Sequence, residues 1–216
     1  MGLLRKTTNW YARLAPSWGH SSPPYRHVVQ IGDPTLRKVS EPVPVDKIKS
    51  KEIQTVIQKL IYVLDKFGSV GMSAPQIGVN NRIFVMRLTA QNIAALPLEK
   101  KKLQDIKTVP LTIFINPKLK IIDYSKVIHV EGCESIRSFA AEVARYNEVQ
   151  VTGFNADGED ISQVLKGWPA RIVQHEMDHL DGKLYTDIMD RKTLKCVCWE
   201  EVNLSKGKLA IPFTPE

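Results

Sequence analysis
Cysteine is scarce in this chain, aromatics are few, and no long apolar run occurs. Three cysteines among 216 residues, Cys133, Cys196 and Cys198, cannot all pair, which excludes a disulfide scaffold and suits a reducing compartment or a ligand role. Nowhere do about 18 apolar residues follow one another, so no membrane-spanning helix is expected. Internal repeats are absent. Acidic residues are missing from one region: residues 1–32 contain none of the 23 Asp and Glu, yet hold Arg5, Lys6, Arg13 and Arg26. Of the net charge of +7, +4 therefore sits in this segment and +3 on the remaining 184 residues. That distribution argues against a nucleic-acid-binding domain.

The acid-free segment has no apolar core of the roughly 7 to 15 residues that secretion requires, and Lys6 stands where a myristoylation motif needs Ser or Thr. Instead, Leu3 or Leu4, Trp10 or Tyr11, Leu14 and Trp18 recur at helical spacing among Arg and Lys, before Pro16, Pro23 and Pro24 stop any helix. This fits an organelle transit peptide over residues 1–25, with a basic disordered leader as the alternative. A domain over 26–205 and a tail over 206–216 complete the expected division.

What is present beyond that segment is a pattern of mixed elements. Asp46 is expected to cap a helix of about five turns whose Ile53, Val56, Ile57, Leu60, Leu64 and Phe67 share a face, with Gly68 as its stop. Strands are expected at 82–88, 111–116, 119–123 and 126–130, the last two turning at Tyr124-Ser125, and at 148–154 and 160–165 around an Asp157-Gly158 turn. The lysines Lys100 to Lys102 read as a solvated insertion. Pro169 opens a second helix that Gly182 closes. One helix, several strands and another helix point to an α+β fold and not to alternating βαβ units.

The second helix carries His175-Glu176-Met177-Asp178-His179. Residues at i and i+4 share a helix face, so the two histidines can grip one ion while Glu176 leans towards its open position. Val173, Met177 and Leu180 form a core stripe beside the histidines. No histidine follows His179, so a third ligand has to come from elsewhere. Cys133, within Glu131-Gly132-Cys133-Glu134-Ser135 and just after a strand, is the candidate, although such a cysteine is ordinarily a small buried hydrophobe. Gly71-Met72-Ser73-Ala74-Pro75-Gln76 adds a turn of small residues and, in Gln76, a neutral amide able to donate to an oxyanion. Cys196 and Cys198 are expected to pack ordinarily.

These three segments, in this order, resemble the motifs of the peptide deformylases over about Val28 to Asp190. The resemblance implies a fold in which antiparallel sheets embrace the central metal-binding H-E-x-x-H helix. It implies hydrolysis of the formyl group from N-formylmethionine of new polypeptides, with release of formate. It further implies a divalent ion, Fe²⁺ in preference to Zn²⁺ or Co²⁺, on Cys133, His175 and His179. Glu176 is then base and acid, with Gln76 and the backbone N–H of Glu134 on the oxyanion and Gly71 on the substrate backbone. Val70, His129, Trp168 and Ile172 are candidates for an apolar methionine pocket. Ser69 and Ser73 replace the Gly and Ala common in the first motif. Glu134, where bacterial members have Leu, resembles the animal mitochondrial form; it places formyl-Met nascent chains at the mitochondrial ribosome as partners, and its charge implies slow turnover. A general H-E-x-x-H peptidase and a low-activity, peptide-binding or ribosome-associated module remain the alternatives.

Overall fold
Ser50, and not Asp46, opens the first long helix in the computed structural model, which describes residues 22–94 and 106–215. Asp46 lies instead in a 3-10 turn, Val45–Lys47, that Pro44 starts. Ser50 Oγ accepts from the Ile53 N–H at 3.3 Å, and α1 runs from Lys51 to Phe67. At its end Gly68 takes φ 63° while the Ser69 N–H reaches back to the Leu64 carbonyl. Ile53, Val56, Ile57, Leu60, Val63 and Leu64 are buried on one face. Each contributes about 1.5–3 kcal/mol of apolar burial, and together they far outweigh a cap worth about 0.5–2 kcal/mol.

Among the described residues six strands form one antiparallel sheet. They are β1 (Gly71–Ser73), β2 (Ile83–Leu88), β3 (Val109–Cys133), β4 (Ile136–Phe154), β5 (Asp160–Lys166) and β6 (Lys195–Cys196). The order is β1-β2-β3-β4-β5, with β6 beside β4. The three separate strands expected between 111 and 130 are a single one. Tyr124-Ser125 is a bulge and not a turn, because pairing continues on both sides of it, Asp123 with Glu148 and Lys126 with Tyr146. The local hydrogen bonds that mimic a turn are from the Ser125 N–H and hydroxyl to the Asp123 carboxylate. Two further bulges, near Pro117 and Ile122, also add one residue to β3, and each increases the local twist. The first half of β4, unassigned from sequence, pairs with residues 126–132. The reversal therefore comes at Glu134-Ser135 and leaves Cys133 at the hairpin's tip.

After β5, Pro169 lies in the first turn of α3 (Trp168–Leu180), which follows the short α2 (Ala90–Ala94) in helix order and precedes α4 (Trp199–Leu204). The helix ends when the Lys183 N–H reaches the Asp178 carbonyl across Gly182, whose φ is 71°. Its Val173, Met177 and Leu180 are buried with Phe84, Met86, Phe114 and Val151. Because α3 contacts β1 through β5, the sheet wraps around it. Cys196 and Cys198 are half-buried and unbridged. The proposed transit segment up to residue 21 and Lys100 to Lys102 lie outside the described residues. No helix among the described residues is long and apolar enough to cross a membrane.

Candidate metal centre
The β3–β4 hairpin brings its tip against the histidine face of α3. One ligand atom from each of Cys133, His175 and His179 lies within 4.8 Å of the others, and Cys133 Sγ is 3.3 Å from His179 Nε2. A thiolate and two imidazoles at this separation suit one divalent transition-metal ion with a coordination position left open. His175 presents its far nitrogen to the trio because Nδ1 is held at 3.1 Å by Glu131 Oε2. The buried Tyr185 ring stacks on the His175 ring at 6.5 Å.

Glu131 is the hub of a buried network. Its carboxylate takes two hydrogen bonds from Arg145, at 3.0 and 2.9 Å, and one from Arg171 at 2.5 Å. Arg145 also donates to Asp178 at 2.5 Å, while Arg171 donates to the Val143 and Val127 carbonyls. Burial opposes the charge on Glu131, but His175 and Arg145 outweigh it and hold the carboxyl well below the ordinary range. These residues were not singled out from sequence, although the signal exists. Arg145 is in phase with the buried Ala141 and Val143 on β4, and Arg171 lies four residues before His175.

Burial disfavours a charged His175, yet the adjoining Cys133 and Glu131 raise its pKa well above the ordinary value. His179 moves the other way, lowered by burial and then by His175. A cationic His175 cannot ligate, so the polarity set by Cys133 and Glu131 marks a place where a metal cation would replace a proton.

Glu176 is 3% exposed, its Oε2 has no hydrogen-bond partner, and burial raises its pKa to about 7. It is packed against β1 so tightly that a Cβ at position 71 would overlap Oε1, which explains glycine there. Gln76 lies in the 3-10 turn Ala74–Ile77 after β1. Its Oε1 accepts from the Ser73 N–H and hydroxyl, which turns Nε2 towards Cys133 Sγ at 3.5 Å and Ser135 Oγ at 3.4 Å. The turn itself is pinned by Tyr25 and Val29 N–H groups donating to the Ile77 and Gln76 carbonyls.

A cleft of about 580 Å³ exposes this assembly. Gly71, Gln76, Cys133, Glu134, His175 and Glu176 line it, and Val70, Trp168 and Ile172 supply an apolar wall. His129 is not among the lining residues; its ring meets Trp168 edge-on at 6.3 Å. Burial raises the pKa of Glu134, against the opposing charge of Arg137.

The polypeptide deformylase family profile matches residues 25–195. A human protein, mitochondrial peptide deformylase, is 40% identical over 185 residues, 86% of this chain and 76% of its own. The chloroplastic peptide deformylase 1A of tomato is 38% identical over 92% of this chain and 70% of its own. The crystal structure of peptide deformylase from Thermotoga maritima superposes with a TM-score of 0.62 at 30% identity, over 77% of this chain and 98% of that one.

Proposed function
The chain belongs to the polypeptide deformylase family and is a peptide deformylase by that membership, and from this premise we propose which residues carry out the hydrolysis, and where. One observation supports the assignment above others: the ligand atoms of Cys133, His175 and the buried His179 come together beside a cleft lined by Cys133, His175 and a buried carboxylate, Glu176, with an unpartnered oxygen.

Cys133, His175 and His179 hold a divalent ion, Fe²⁺ in preference to Zn²⁺ or Co²⁺, as the family resemblance implies. When bound, such an ion supplies Lewis-acid chemistry: it polarises the formyl oxygen and lowers the pKa of water. Glu176, with its pKa near neutrality, takes the proton from the attacking water and returns it to the departing amine. Gln76 Nε2, its amide plane set by Ser73, donates to the oxygen on which negative charge develops. The Glu134 N–H, at the hairpin turn, is the second donor to that oxygen. Gly71 belongs to the short edge strand β1, which among the described residues pairs with β2 alone, so its other backbone edge is available to an extended substrate. Val70, Trp168 and Ile172 receive the methionine side chain, with His129 buttressing Trp168.

The acid-free leader and the human mitochondrial relative support the mitochondrial matrix as the place of action. Formyl-Met nascent chains at the mitochondrial ribosome are then the substrates, with residues 1–25 as transit segment and 26–205 as the catalytic domain. The test is formate release from formyl-Met peptides by anaerobically prepared, iron-loaded protein. Formate with all internal amides intact is the expected result. Internal cleavage would make the chain a general peptidase, and bound but unaltered peptide would make it a binding module.

A further inference from the structure
Arg137 has no role in the chemistry above, yet it lines the same cleft as Cys133, His175 and Glu176. It is the second residue of β4, just past the hairpin turn, and its guanidinium lies 5.9 Å from the ring of Phe67 at the end of α1. The side chain thus spans from the hairpin that supplies Cys133 to the helix end that leads into Gly71. Its Nη1 is shut off from water and has no hydrogen-bond partner. The carboxylate facing it, Glu134 Oε2, stands off at 4.0 Å, too far for a hydrogen bond. Among the described residues every other arginine ion pair closes to 2.9 Å or less. With 25% of its side chain exposed, Arg137 is therefore a cation in the cleft wall that Glu134 does not satisfy.

A planar guanidinium is matched by a carboxylate, which accepts two parallel hydrogen bonds from it. The methionine wall of Val70, Trp168 and Ile172 is distinct from Arg137, which neighbours the more exposed Phe139 and Val197 at the rim. We propose that Arg137 selects peptides that present a carboxylate downstream of formylmethionine, either an Asp or Glu side chain or a nearby free C-terminus. The proposal rests on the deformylase reading and names the substrate class that this site prefers.

Two pairs of peptides separate the sources of the carboxylate. Formyl-Met-Asp-Ala-amide against its Asn counterpart tests a side chain, and formyl-Met-Ala-Ala as free acid against its amide tests a terminus. The metal-loaded full chain is expected to favour the carboxylate member of at least one pair about tenfold in kcat/KM, through KM. Arg137→Ala brings that ratio to about one, and Arg137→Lys, with charge but no fork, keeps only part of it. Tryptophan fluorescence titration of the Glu176→Gln protein with the same peptides reads the preference as a Kd ratio without turnover. Ratios within twofold in the otherwise unaltered chain, ratios that survive Arg137→Ala, or a preference for the Asn or amide member overturn the proposal. A tenfold Kd ratio with no formate released from any peptide would uphold Arg137 and overturn the deformylase assignment instead.

Discussion
Replacing Glu131 by Gln tests the link between the buried charge network and the metal centre, because the shape is preserved while the charge goes and one acceptor oxygen becomes an NH2 donor. Glu131, Arg145 and Arg171 side chains are each 5% exposed, so water cannot take over from the missing carboxylate. Breaking a buried ion pair by removing one partner costs about 3–5 kcal/mol. Arg145 keeps Asp178 and Arg171 keeps two carbonyls, which places the loss near the lower end, about 3 kcal/mol. At about 2–4 °C per kcal/mol for a chain of this size, the metal-stripped protein should melt roughly 6–12 °C lower. His175 loses the acceptor that orients its ring, so metal affinity should fall about 10- to 100-fold in a chelator competition. The pH dependence supplies a third signature. A carboxyl held below its ordinary value of 4.5 stabilises the fold above that pH, and the contribution is lost as pH falls below it. The unaltered chain should therefore lose stability more steeply below pH 4.5, and the Glu131→Gln protein should show a flatter slope there. A stability loss under about 1 kcal/mol together with metal affinity unchanged within twofold would refute the hub role, since both are consequences of the same carboxylate.

Three further outcomes follow from the cleft. Glu176 has to be ionised to accept a proton, so kcat/KM should be lost as pH falls through its pKa; burial lifts that value towards 7 and a bound cation draws it back, which places the limb between 4.5 and about 7. A profile that stays flat down to pH 4.5 sinks Glu176 as the base, as would formate release by Glu176→Gln within about tenfold of the unaltered chain. Gly71→Ala should cut formate release about 100-fold, with metal content retained in elemental analysis, because the added methyl displaces Glu176 and not a ligand. Glu134→Leu should raise kcat/KM several-fold by removing roughly 1 kcal/mol of repulsion against developing negative charge, and an unchanged or slower enzyme would contradict that account.

Legibility in the sequence followed the range of the interaction. The α1 face, the Gly68 and Gly182 stops and the histidine pair of α3 were readable because they depend on spacing within a few residues. Asp46 failed as a cap since Pro44 draws it into its own turn, which a caps-and-spacing rule does not weigh. Tyr124-Ser125 failed for a related reason. Asp123 and Ser125 make the local hydrogen bonds of a turn, and only pairing with Glu148 and Tyr146, over 20 residues away, turns the same residues into a bulge. His129 was placed in the methionine pocket from its nearness in sequence to Cys133; it shares the strand face of Glu131 and Cys133, but its ring lies against Trp168 at 6.3 Å and does not line the cleft.

The same contrast explains why the ligands were easier to find than their supports. Cys133 and the two histidines are rare residue types in informative contexts, but Glu131, Arg145 and Arg171 are common ones, and their meaning arises only when β3, β4 and α3 bring them together. Burying these charges costs more than burying aliphatic residues in the same space, so core stability does not account for them. Orientation does: the network ends on His175 Nδ1 and fixes which nitrogen faces Cys133. The long β3–β4 hairpin is what makes this possible, since one strand carries Glu131 inward to His175 and, two residues on, delivers Cys133 to the same ion site. A one-residue slip in that register would turn Glu131 to the opposite face, so the bulges that set the register of β3 are as much part of the metal centre as its ligands.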